Sequence, residues 1–260
     1  MTKLNKNKIF WSYILILLIG FLIGVFVFYN NDNKADIPGL YTDVFGIKND
    51  MKKTDGSANI VAVGSNGFGI IGKVNVDIEE GEGKILVNTN PFVEPDTQLS
   101  AITAVNVAKN ITGVDLGNVN VIIDFEMPNV NTENSGIIGG PSAGTAMTLA
   151  VLSAINGKKV KNVVATGAIL PDGRIGQIGG VIEKADAVAD NNLTLFLIPK
   201  GQGKFAYYER QIKTVDSGNT KAKKVVLVPK TIDLVDYFKQ EKNLTIKEVD
   251  HIEDVINYAF

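Results

Sequence analysis

Apolar and polar positions change rhythm several times along the chain, and each rhythm predicts an element. Ile9 to Tyr29 is one uncharged apolar run. A helix rising about 1.5 Å per residue over that run crosses a hydrocarbon core of roughly 30 Å. Trp11, Tyr13 and Tyr29 lie toward its ends, where interfacial aromatics are favoured. Residues 30–58 are polar, with turn signals at Pro38-Gly39 and Thr54-Asp55-Gly56-Ser57. They read as a stalk or lead-in. From Asn59 onward strand and helix periods mix. Ile60 to Val63 predicts a short strand, and Ile70 to Ile78 alternates with Val74, Val76 and Ile78 on one face. Lys84 to Asn88 predicts a further strand after Glu80-Gly81-Glu82-Gly83, so a hairpin is expected there. Asp96 to Ile111 predicts a helix with Leu99, Ile102, Val105 and Ala108 on its apolar stripe.

Val119 to Phe125 reads as a strand, and Glu126 to Ser135 as a polar loop. Ser142 to Ile155 carries no charge, and a helix apolar all round is a buried helix. Asn162 to Ala168 predicts a strand, Pro171-Asp172-Gly173 a turn, Val181 to Asp190 a helix and Thr194 to Ile198 a strand. Lys223 to Val228 predicts a strand, Ile232 to Gln240 a helix and Leu244 to Val249 a strand. A last helix starts at His251, with Asp250 as its N-cap and Glu253 three residues on. The fold class is therefore α/β, with mixed sheets and helices, preceded by one transmembrane helix.

Composition narrows the chemistry. The chain of 260 residues has 45% hydrophobic and 21% charged residues, ordinary values for a globular protein. A net charge of −2 gives no basic field for nucleic acid. There is no cysteine, which removes disulfides, thiolate metal sites and a cysteine nucleophile. His251 is the single histidine, so neither a structural zinc site nor an HExxH metalloprotease is expected, and no metal or cofactor is called for. A catalytic base has to be His251, a carboxylate or a lysine.

Lys3, Lys6 and Lys8 precede the apolar run, and Asn30, Asn31 and Asp32 follow it. The positive-inside bias then places residues 1–8 in the cytoplasm, 9–29 as a single-pass anchor in the cell membrane and the remainder outside the cytoplasm. A cleaved signal peptide is the alternative. Its apolar core is shorter and ends at small residues, whereas this run closes Val-Phe-Val-Phe-Tyr.

One glycine motif points the wrong way. Gly67-Phe68-Gly69-Ile70-Ile71-Gly72-Lys73-Val74 fits GxGxxG and nearly fits a P-loop. Phosphate binding needs a helix N-terminus after the glycines, and here an alternating strand follows. Val74 also stands where a P-loop has its magnesium-binding hydroxyl. The motif reads as a glycine-rich β turn.

Two residues carry candidate chemistry. Ser142 follows Gly139-Gly140-Pro141 and opens the buried helix, where unpaired backbone N–H groups gather and can hold an oxyanion. A plain N-cap serine has the same appearance. Gly140 to Gly144 also spells GxSxG, and Ser142, Asp233 or Asp236, and His251 follow the chain order of an α/β-hydrolase triad. Lys184 lies beside Val181 and Val188, off the acidic stripe of Glu183, Asp186 and Asp190. Burial there lowers the amine pKa and makes it a base; a snorkelling lysine is the alternative.

At this point the residues resemble a known family. GGPSAGTAM, then VATGAILPDGRIGQIGGVIEKADAV, LFLIPKGQ and the closing KEVDHIEDVINYAF are similar in order and spacing to the proteolytic domain of Lon proteases. The resemblance is nearest to the membrane-anchored, ATPase-free Lon-like serine proteases of archaeal type. It covers about Asn59 to Phe260 and is strongest from Gly139 to Lys200. It implies a proteolytic domain over 59–260 and a Ser–Lys dyad, with Ser142 as nucleophile, Lys184 as base and Thr166 orienting the lysine. Gly140, Pro141, Ala143 and Gly144 support the nucleophile. It also implies protein or peptide substrates and six-fold rings as the oligomer.

The chain departs from the family pattern in places. Gly139 stands where many Lon enzymes have an acidic residue, and Ala168 where Glu is frequent. Residues 203–230 read as an insertion. No nucleotide-binding module is read ahead of the domain, which implies work without ATP on flexible or unfolded chains. An α/β-hydrolase using His251 and a non-catalytic membrane-tethered binding domain are the competing readings.

Overall fold

The computed structural model describes residues 53–128, 137–217 and 220–260. The expected anchor, Ile9 to Tyr29, and most of the expected loop after Glu126 lie outside them. Among the described residues no helix is long and apolar enough to cross a membrane.

Strand β1 (Lys53–Val63) turns through Gly64 to Phe68 into β2 (Gly69–Glu80), and the two pair antiparallel along their whole length. Gly64 N–H donates to the Phe68 carbonyl at 2.8 Å and Gly67 N–H to the Gly64 carbonyl at 2.9 Å. The glycine motif is therefore a hairpin turn. β1 also moves the domain boundary. Residues 53–58, expected as lead-in, belong to the sheet.

β3 (Ile85–Val87) does not form the expected hairpin with β2. It pairs parallel with β5 (Val119–Glu126), on the far side of β5 from β2. The Asn120 side-chain oxygen causes this. It accepts the N–H groups of Glu82 and Lys84, both at 3.1 Å, and draws the turn across the start of β5.

Short β4 (Phe92–Val93) leads into α1 (Pro95–Thr112) and pairs parallel with β6 (Ile137–Ile138). A short 3-10 turn, Pro141–Ala143, then opens α2 (Gly144–Asn156), so the helix starts two residues later than expected. Every residue of α2 from Gly144 to Ile155 is buried. The next predicted strand is split into β7 (Val164–Ala165) and β8 (Ala168–Ile169), and β8 pairs with β9 (Ile175–Gly176). Then come α3 (Val181–Asp190), β10 (Leu195–Pro199), the ribbon of β11 (Lys204–Ser217) and β12 (Thr220–Asp233), α4 (Leu234–Glu241), β13 (Thr245–Val249) and α5 (Ile252–Ala259).

The main sheet has seven strands in the order β13-β10-β7-β1-β2-β5-β3. Its β1, β2 and β5 are antiparallel neighbours, while β1, β7, β10 and β13 run parallel. Alternate residues of a strand face opposite sides. Gly56 of β1 abuts the α2 backbone, whereas Val61 joins a core with Ala185 and Val188 of α3. Helices α2 and α3 thus cover opposite faces. The parallel half is covered twice and reads as continuous apolar sequence: Phe196, Leu197 and Ile198 are all fully buried. In β2 the alternation survives, with Val74, Val76 and Ile78 buried and Lys73 and Asp77 exposed.

Two further expectations need correcting. In α1, Leu99 and Ile102 are 64% and 44% exposed. The buried face consists mainly of small residues, Thr97, Ser100, Ala101, Ala104 and Ala108, because α1 lies against α2 and small side chains let two helices approach. His251, not Asp250, is the N-cap of α5, and the Asp254 carboxylate accepts the His251 N–H at 3.2 Å. The segment read as an insertion forms the two-stranded β11–β12 ribbon, with Tyr208, Ile212 and Leu227 exposed.

A Cβ at Gly56 would strike the Ala150 carbonyl oxygen and the Ala154 nitrogen, backbone atoms of a buried helix that cannot swing aside. Gly56→Ala is expected to destabilise by about 3 kcal/mol. Thermal unfolding should register this as a Tm roughly 10 °C lower.

Candidate active site

Three segments meet beside α2. Gly140 enters with φ +87°, a region open to glycine, and hands the chain to the 3-10 turn that carries Ser142. Pro141 supplies a fixed φ at the first position of that turn. Ala143 follows as the residue before α2, and Gly144 is buried as its first residue. The Gly144 N–H closes the turn on the Pro141 carbonyl.

The Ser142 main chain is held from the sheet side. Its carbonyl accepts the Gly167 N–H at 2.9 Å and the Thr166 hydroxyl at 3.2 Å. Thr166 itself is fixed by its N–H to the Leu197 carbonyl at 3.0 Å, next to β7. Gly167 returns the favour to α2, since its carbonyl accepts both the N–H and the hydroxyl of Thr145, at 3.1 and 3.0 Å.

Lys184 reaches the same point from α3. Its Nζ donates to Thr166 Oγ1 at 3.3 Å. Lysine and threonine are 3% and 1% exposed, so neither snorkels to water. Desolvation lowers the amine pKa from 10.5 to about 8. One hydroxyl therefore serves two partners: Thr166 gives its proton to the Ser142 carbonyl and accepts from Lys184. A neutral amine donating one N–H to Thr166 keeps its lone pair for another proton.

Ser142 and Lys184 line one open cavity of about 580 Å³. Gly139, Gly140 and Pro141 form one wall, and Gln177 to Gly180 with Glu183 form another. Val63 and Gly67, at the β1–β2 turn, complete it. The Gln177–Gly180 strap is anchored by Gln202, whose amide accepts the Ile178 N–H at 3.0 Å and donates to the Ile178 carbonyl at 2.7 Å. The sequence singles out Gly140 and Pro141 of these walls but not the Gln177–Gly180 strap, Val63 or Gly67. Gly67 had been set aside with its misleading motif, and Gln202 has no local signal because its partner lies 24 residues away.

The residues of the alternative triad do not join this cavity. His251 caps α5, with Nδ1 3.8 Å from Glu253 Oε2. Asp233 caps α4 by accepting the N–H groups of Val235 and Asp236.

Comparison with known proteins gives the family. A family model of the Lon protease (S16) C-terminal proteolytic domain matches residues 50–206. The Lon protease of Elusimicrobium minutum is 27% identical over 186 residues, 71% of this chain and 18% of that protein. The Archaeal Lon protease of Archaeoglobus fulgidus is 30% identical over 132 residues, 50% of this chain and 20% of that protein. A stretch of 62 residues is 50% identical to the Lon protease of Lachnoclostridium phytofermentans, covering 24% of this chain and 8% of that one. The chain thus spans about a fifth of the length of the first of these relatives.

The Lys184 pKa sets a pH dependence of stability. Between about 8 and 10.5 the unfolded chain binds the extra proton, so stability rises with pH across that window. Below it the buried ammonium carries its full desolvation cost. Lys184→Met removes that cost and is expected to stabilise the fold at pH 7 by up to about 3 kcal/mol. The gain should vanish above pH 10.5 in denaturant titrations run at several pH values.

Proposed function

Because the chain belongs to the Lon protease (S16) proteolytic-domain family, we propose that it is a membrane-anchored serine endopeptidase that works without ATP. Ser142 is the nucleophile and Lys184 the general base. The observation that supports this most is the dry Lys184 amine, tied to Thr166 and opening on the cavity that Ser142 lines.

In this reading the neutral amine takes the Ser142 hydroxyl proton as Oγ bonds to the scissile carbonyl carbon. The oxyanion is held by backbone N–H groups of the turn that carries Ser142, since the Gly144 and Thr145 N–H groups at the start of α2 are already bonded to the Pro141 and Gly167 carbonyls. The lysine ammonium then returns the proton to the leaving amine as the C–N bond breaks, leaving an acyl-serine. Water, deprotonated by the same amine, attacks the ester carbonyl; the C–Oγ bond breaks, and the ammonium returns its proton to Ser142 Oγ as the carboxylic acid product forms. Thr166 keeps the amine aimed throughout.

The anchor is Ile9 to Tyr29, and the lysines ahead of it put the catalytic domain outside the cytoplasm. ATP is scarce there, so substrates are flexible or already unfolded polypeptides. Assembly into a six-fold ring is part of the same proposal and comes from the family alone.

Casein digestion by the full chain in detergent micelles, without ATP, tests the reading. Ser142→Ala and Lys184→Ala are each expected to lower turnover by about a thousandfold, the scale of a lost nucleophile or base. His251→Ala should stay within about twofold of the parent, as for a helix cap remote from the chemistry. Loss in His251→Ala with survival of Lys184→Ala would overturn the dyad. With the base titrating near 8, parental turnover should rise through that pH and level off above it.

A further inference from the structure

We propose that the first turn of α1 positions the nucleophile, with Asp96 and Thr97 acting through the peptide groups of Gly140. The inference rests on the Ser142–Lys184 reading above.

Three consecutive residues ahead of Ser142 are held by this one turn. The Glu94 N–H donates to the Ile138 carbonyl at 2.9 Å. The Glu94 carboxylate packs against Gly139 where any side chain at that position would have to stand. Gly140 is gripped at both of its polar groups: its N–H donates to Asp96 Oδ1 at 3.2 Å, and its carbonyl accepts the Thr97 hydroxyl at 3.1 Å.

The grip is itself well fixed. Asp96 Oδ1 also accepts the Thr97 N–H at 2.7 Å, which orients the carboxylate. Thr97 is 0% exposed, so water does not compete for its single proton. The nearer acceptor for that proton is the Gly140 carbonyl, since Asp96 Oδ1 lies at 3.4 Å. With both peptide planes flanking Gly140 set, its positive φ is held, and Pro141 allows little rotation beyond it.

Ser142 is therefore secured twice, by α1 before it and by Thr166 and Gly167 after it. The two restraints do different things. The apolar core packed against the Lys184 helix is drawn from α3, the sheet and α4, and no residue of α1 belongs to it. Freeing Gly140 should leave the base as it is and let the serine hydroxyl drift from it. A small misplacement of a reacting group costs about tenfold to a hundredfold in rate.

The experiment uses the full chain in micelles and reads four quantities: Tm, the rate of Ser142 labelling by a fluorophosphonate, kcat and KM on an unstructured peptide, and the pH midpoint of kcat. Asp96→Ala, at an exposed position, and Thr97→Val are each expected to slow labelling and kcat by about tenfold. KM should stay within about twofold, with the pH midpoint unmoved and the Tm within a few degrees, as for a lost orienting contact. The double variant should fall little further, because both side chains act on one residue. Thr97→Ser keeps the hydroxyl and should restore parental kcat.

Parental kcat in both single variants overturns the inference, as does a loss that follows Tm or KM or that Thr97→Ser fails to restore. A working parent with unaltered variants overturns this inference alone. A parent that neither labels nor cleaves overturns the dyad reading and this inference with it.

Discussion

The site depends on one hydroxyl buried from solvent. Thr166 has a single proton to give and a lone pair to accept with, and its surroundings assign both: the proton to the Ser142 carbonyl, the lone pair to Lys184 Nζ. That assignment ties the strand end after β7 to the turn before α2 and to the middle of α3. It holds because Thr166 and Lys184 are both almost wholly buried. In contact with solvent the same groups would exchange partners with water, and the amine would keep its proton.

The layers around the sheet supply that dryness. A lysine lowered by desolvation costs stability, and the fold offsets the cost by double coverage of its parallel half. Phe196, Ile198, Val188 and Phe238 fill the space beneath α3, with Leu244 and Ile246 alongside. On the other face the chargeless α2 is buried along nearly its whole length. The consequence is a rigid platform beneath an otherwise glycine-rich cavity wall. Rigidity comes from the apolar layers, and the glycines leave room for an extended chain to come close.

Elements whose signal is local were legible in the sequence. The limits of α3 follow from an amphipathic period between Gly180 and Asn191, and α2 follows from a run without charge. Ser142 and Lys184 stood out by local features, a glycine-rich approach to a helix and a lysine off the acidic stripe. What was not legible depends on contacts distant in sequence. Asn120 redirects β3 through its side chain. The orientation of α1 is set by how closely α2 lets it approach, which favours small side chains over Leu99 and Ile102. The α1 grip on Gly140 joins residues 43 and 44 positions apart, and nothing local to either partner announces it.

The β11–β12 ribbon leaves the body at Lys204 and returns at Asp233, and these two residues are direct register partners. Entrance and exit are therefore about one strand spacing apart, roughly 5 Å. A segment attached in this way is modular in the evolutionary sense. It can lengthen, shorten or disappear without moving either end of the surrounding chain, because a tight turn spans the same gap. The family match ends at residue 206, just inside this junction. The ribbon can therefore change in length while the platform beneath Lys184 keeps its place.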